Sequence, residues 1–178
     1  NIIDQTKHMG KLINQLLVLA KLDEVQEKSE KQEADLKLLL EETTRPFEEV
    51  ATQKKVTLKL HLEEGVTIRV NREQIAQLVS ILTENAAKYV NDGGKIVWRL
   101  TKTQHGAVLV VKNTTEKELP DTKRMFDRFY RSDSSRSSKT GGQGIGLSIA
   151  KKIVDSHKGS ITAKAGDGMV TFRVSLPK

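Results

Sequence analysis

Cysteine is absent from the sequence, so neither a disulfide framework nor a thiolate metal site can form, which suits a reducing compartment. Aromatic residues make up only 4% of the chain, too few for the stacking platforms that single-stranded nucleic acid uses. The longest unbroken apolar runs, residues 16–20 and 107–111, are far too short to cross a bilayer, and no secretory signal opens the chain. The first residue is Asn1 rather than methionine, and the expectation is of an excised piece whose parent could carry a membrane segment upstream. Basic residues exceed acidic ones by a net +7, but they are spread along the sequence, which speaks against a nucleic-acid partner.

What is present can fold. Hydrophobic residues are 37% and charged ones 30%, enough for a core, and 178 residues suit one ordinary domain plus an appendage. The most informative stretch is G-G-Q-G-I-G-L at residues 141–147, followed by S-I-A-K-K-I-V-D-S-H with apolar residues at helical spacing. Glycine lets a backbone approach a ligand closely, and a helix start offers unpaired N–H groups to phosphate. A flexible connector is the plainer reading of the same residues. No Lys-Ser/Thr follows, as in a P-loop, and no strand runs straight into the glycines, as in a dinucleotide fold. The polar residues that precede it suggest the hinge of a lid.

Taken in order, residues 1–31 carry Ile2, Met9 and Leu16 seven apart, with Leu12 and Leu19 each three residues on from Met9 and Leu16. That seam predicts one long helix, in a bundle or lying on its own domain, with the charged residues 21–33 as tail or linker. A second helix is expected over residues 35–54, kinked or broken at Pro46. Alternation predicts strands at 56–62 and 66–70, and Asn71 caps a helix over 72–90. Hairpins are expected at 95–112 and 160–176. Residues 113–140 are polar and serine-rich, interrupted by Met125, Phe126, Phe129 and Tyr130, as in a binding loop. The order predicts an α+β two-layer sandwich, with helices on one face of a mixed sheet.

Several blocks now line up. I-L-T-E-N-A-A-K-Y-V (residues 81–90), M-F-D-R-F-Y-R (125–131), G-Q-G-I-G-L (142–147) and the looser G-D-G-M-V-T-F (166–172) resemble, in order, the N-box, F-box and second and third glycine boxes of the ATP-binding catalytic domain of bacterial sensor histidine kinases. The resemblance implies a Bergerat-type fold over residues 32–178 with an ATP lid at about 114–141, preceded by the second dimerisation helix at 1–31. It implies ATP and Mg²⁺ as cofactors, a response regulator as partner, and a homodimer through the dimerisation helices. The setting it implies is the cytoplasmic part of a membrane-anchored bacterial protein.

Carried over position by position, the resemblance makes Asn85 the Mg²⁺ ligand, although a structural hydrogen bond would equally explain an amide on an apolar helix face. Lys88, Tyr89, Arg128 and Arg131 would attend the phosphates, although all could be solvated surface. Gly142, Gly144, Ile145, Gly146 and Leu147 would cradle them, with Thr171 in the third glycine box. Asn113 would stand at the adenine, where the family carries aspartate. Asn85, Lys88 and Arg131 are the residues tied to phosphoryl transfer. The chain also departs from the pattern. Ile81 replaces the first N-box asparagine, and the first glycine box reads N-T-T-E-K, without its glycines. A regulatory pseudokinase that binds nucleotide without turnover is the alternative. None of His8, His61, His105 and His157 has the context of the family's phosphoacceptor.

Overall fold

Period-two alternation and short polar turns make seven strands among the described residues, and three apolar helical stripes cover the main sheet. The computed structural model describes residues 30–116, 121–130 and 144–178, together with Thr6, Met9, Gly10, Ile13 and Leu17. In order these form β1 (Gln32–Asp35), α1 (Leu36–Gln53), β2 (Thr57–Leu62), β3 (Thr67–Val70), α2 (Arg72–Tyr89), β4 (Lys95–Thr103), β5 (Gly106–Thr114), α3 (Gly146–Ser156), β6 (Ser160–Gly166) and β7 (Met169–Pro177). The five isolated N-terminal positions are all helical, and Met9, Ile13 and Leu17 are more than half exposed. Glu30 and Lys31, at its expected end, are not helical, and the rest of the helix expected over 1–31 lies outside the described residues, as do Arg131, Gly142 and most of the lid.

The main sheet has the order β2-β4-β5-β7-β6, with β2 parallel to β4 and every other pair antiparallel, which makes it mixed. All three helices contribute to one core on one face. Leu36, Leu39 and Leu40 come from α1, Ile75, Leu78 and Leu82 from α2, and Ile149 and Ile153 from α3. Trp98 of β4 and Phe172 of β7 are its largest members. The sandwich predicted from the order of elements is the one observed.

Two local expectations change. Residues 32–33, read as tail or linker, and Asp35, read as the start of the second helix, join Ala34 in β1, which pairs antiparallel with β3 in a separate two-stranded sheet. The strand is short and charged, with only Ala34 buried, so its pattern is that of a linker. Pro46 neither breaks nor ends α1, which runs through it to Gln53. The bond that Pro46 cannot donate would go to the carbonyl of Glu42, an exposed residue where water can take its place. The cap expected at Asn71 forms, and Asp35 supplies a second one. Asp35 accepts from Lys37 N–H at 2.8 Å and opens α1, and Asn71 accepts from Gln74 N–H at 2.9 Å and opens α2.

Candidate active site

The site is built where α2, the start of α3 and the F-box turn converge. The inner stripe of α2 (Ile75, Leu78, Val79, Leu82, Thr83, Ala86) is buried in the core. Its neighbouring flank carries Ile81, Asn85, Lys88 and Tyr89, all half-buried. Helical spacing brings Ile81 and Asn85 one turn apart, with Lys88 and Tyr89 the next turn on. Thr83 and Ala87, on the opposite flank, line a shallow apolar groove with Phe47 and Val50 of α1 and Lys54 at its C-cap. That groove is separate from the site.

Ile81 fixes how the two helices meet. A Cβ placed on Gly146 would stand 3.5 Å from the Ile81 Cγ2, so the N-box flank of α2 abuts the first turn of α3. Ile81 therefore fills a packing position where the family carries asparagine. Helix α3 starts after Ile145, buried at 1% exposure, and has no side-chain cap. Its ladder begins with Ile149 N–H to the Ile145 carbonyl at 3.0 Å. The N–H groups of Gly146, Leu147 and Ser148 precede that rung and have no partner within the helix.

Gly144 joins this helix start to the F-box. It sits at φ +71°, and a Cβ there would stand 2.6 Å from the Tyr130 carbonyl oxygen and 2.7 Å from the Phe129 carbonyl carbon. Phe129 N–H donates to the Gly144 carbonyl at 2.9 Å. Only glycine meets both the backbone angle and the close approach. The F-box is anchored beneath by Met125, which is buried, and by Phe126, whose ring meets Phe172 edge-on at 6.3 Å. Arg124 lies over the Tyr130 ring at 5.2 Å, and Arg128 is exposed.

The Asn85 side chain makes no hydrogen bond among the described residues. The structural bond that would have explained it is absent there. Lys88 Nζ lies 5.1 Å from the centre of the Tyr89 ring, which holds the ammonium beside the end of α2. Among the described residues no cluster of three His, Cys, Asp or Glu could hold a metal.

Asn113 lies in β5, on the core side of the sheet and 1% exposed, with its Nδ2 donating to the Thr114 carbonyl at 3.1 Å. The strand continues through it to Thr114, one residue into the expected lid. Thr171 does not join the other site residues. It is flanked across strands by Lys112 and Lys164, on the sheet face away from the helices. The reason is strand periodicity: Val170 and Phe172 point into the core, so Thr171 points away. The residue paired with Asn113 is Val170. Counting by twos from the apolar Phe172 is the sequence signal that would have found it.

A sequence profile of the family described as histidine kinase-, DNA gyrase B- and HSP90-like ATPases matches residues 70–178, from the end of β3 to the last residue. The chain belongs to this family. Among curated proteins it is 34% identical to the sensor histidine kinase RppB of Synechocystis over 97% of this chain and 39% of RppB. It is 32% identical to the sensor protein DltS of Streptococcus agalactiae over 99% of this chain and 45% of DltS. The chain thus spans less than half the length of these relatives. Among solved structures, the catalytic domain of histidine kinase ThkA superposes with a TM-score of 0.74 at 27% identity, covering 84% of this chain and 96% of that one. The fold described above is the ATP-binding catalytic domain of a sensor histidine kinase.

Proposed function

We propose that this domain binds ATP together with Mg²⁺ and, within a longer kinase, directs the γ-phosphoryl group to a histidine outside this chain, for relay to an aspartate of a response regulator. In the transfer the bond from the γ-phosphorus to the β–γ bridging oxygen breaks and a bond to the histidine nitrogen forms, with ADP leaving. The protein's part is positioning and charge neutralisation.

In this reading the Asn85 carbonyl oxygen is a ligand for Mg²⁺, and the ion, shared with phosphate oxygens, neutralises their charge. The Lys88 ammonium, Arg128 and Arg131 face the phosphates, with Tyr89 beside them. The amides from Gly144 to Leu147, with Gly142 ahead of them, cradle the phosphates at the uncapped start of α3. Asn113 meets the adenine. The first 31 residues supply the second dimerisation helix and pair with a second copy, which would cover the exposed Met9, Ile13 and Leu17.

The observation that carries this reading is the unbonded amide of Asn85 on the flank of α2 that meets the start of α3. Phosphate oxygens and a cation would give it partners there. The pseudokinase alternative rests on the altered first glycine box. Asn113 and Thr114, which open that segment, lie in β5, and Thr115 N–H donates to the Gly168 carbonyl at 2.8 Å, which supports variation within an ordered sheet over decay.

Titration with a non-hydrolysable ATP analogue, with and without Mg²⁺, tests the assignment. Asn85→Ala should lose about tenfold or more of the affinity that Mg²⁺ confers, equivalent to ~1.4 kcal/mol. Its unfolding temperature should stay close to that of the parent. Unchanged affinity in Mg²⁺ with an intact fold would show that Asn85 holds no metal.

A further inference from the structure

No Asp or Glu occurs in any of the five strands of the main sheet. Their cations are not scattered in space as they are in sequence. Lys59, Lys95, Arg99, Lys112, Lys164 and Arg173 all stand exposed on the face away from the helices. Register aligns them. One row across the sheet reads Lys59, Val97, Lys112, Thr171, Lys164, and the next reads His61, Arg99, Val110, Arg173, Thr162. Strand spacing puts cations two strands apart at about 10 Å and spreads the first row over about 20 Å. None of the six belongs to an ion pair among the described residues, where the pairs are Lys37–Glu64, Arg72–Glu42, Arg124–Asp127 and Lys151–Asp155. Among the described residues no helix packs here. Val97 and Val110, between the cations, are only partly buried and lie outside the core, while Val108 beside them is buried.

The pattern selects among polyanions. Trp98 and Phe172, the only Trp, Tyr or Phe in the five strands, both point into the core, so the face lacks the aromatic anchors of a protein interface and the stacking surfaces for bases. Only small residues separate its charges. A rod such as a nucleic-acid duplex touches a broad face along a line, whereas a flat layer of negative charge engages every row at once. Long Lys and Arg stems let the charged heads reach such a layer. We propose that this sheet face docks on the surface of an anionic phospholipid bilayer, held by charge alone.

Sedimentation of the 178-residue chain with vesicles tests this. Vesicles of phosphatidylcholine mixed with phosphatidylglycerol should carry the protein down at low ionic strength and far less at about 0.15 M salt, while vesicles of phosphatidylcholine alone should not. With each surface cation worth ~1 kcal/mol near an anionic membrane, the double variant Lys112→Gln/Lys164→Gln should bind about 30-fold more weakly. Arg45→Gln/Lys178→Gln removes the same charge away from the face and should bind nearly as the parent does. Thermal unfolding checks that both variants fold. The proposal is overturned if anionic vesicles fail to bind at low salt, or if both double variants lose affinity equally. It is also overturned if a DNA duplex binds more tightly than the vesicles and is lost on the same Lys112/Lys164 change, because the face would then read nucleic acid.

Discussion

His157 shows how one side chain can link the two helices that carry the site. It caps α3 and is 4% exposed. Its Nε2 accepts from Asn71 N–H at 3.0 Å, at the N-cap of α2, and its Nδ1 lies 2.7 Å from the Ile153 carbonyl, to which it donates in the neutral tautomer. Both nitrogens are thus committed to the uncharged ring. Burial pushes its pKa below the ordinary imidazole value, with nearby Lys31 pushing the same way and the Ile153 carbonyl opposing. The sign follows from linkage. Below the ordinary pKa of 6.5 the unfolded chain takes up a proton that the folded ring resists, so stability is full above that pH and is lost as the pH falls toward the depressed folded value. Urea midpoints at about pH 7.5 and about pH 5.5 should differ more for the parent than for His157→Gln. Equal acid sensitivity in the two proteins would assign the loss to other groups.

Helix α2 carries the site residues, and its seat on the sheet is a matter of element packing. Trp98 Nε1 donates to Thr83 Oγ1 at 3.2 Å, and Thr83 donates in turn to the Val79 carbonyl at 2.7 Å, with Trp98 and Thr83 wholly buried. This chain of bonds fixes the rotation of α2 against β4, and so the direction in which Asn85 and Lys88 face. Thr83→Val keeps the shape but leaves the indole N–H without its acceptor, which costs about 1–3 kcal/mol. Chemical denaturation measures that loss, and nucleotide titration should show weaker binding as α2 loosens. Thr83→Ser keeps the hydroxyl and should restore most of both. A valine variant as stable as the parent would mean that the indole finds another acceptor.

At the scale of the whole molecule, the small β1–β3 sheet closes one end of the core. Ala34, Ile68 and Val70 are buried there, and Asp35 ends the strand as the N-cap of α1. A chain starting at residue 30 should unfold cooperatively and keep its nucleotide affinity, because β1 and its cap remain. A chain starting at residue 36 loses the strand, Ala34 and the cap, the cap alone being worth about 1 kcal/mol. Its unfolding midpoint should fall clearly below that of the longer truncation. Equal midpoints would show that the core closes without β1.

The order of elements, the core stripes of α1 and α2, the cap at Asn71 and the motif blocks were legible in the linear chain, because each depends on residues within a turn or two of one another. Alternation in β4 to β7 was equally local, and it contained the placement of Thr171 once Phe172 was taken as the inward residue. Other features were not local. β1 is a strand only because β3 lies beside it, and its four residues have no apolar period of their own. Pro46 stays within α1 because the rest of the helix is held down by the core. Gly144 needs to be glycine because the F-box backbone presses on it across a gap of fourteen residues in sequence, a contact that no spacing predicts. The cations followed the same rule. Along the sequence they look evenly spread, and only the register of five strands, with helices covering one face alone, collects six of them on a single uncovered surface.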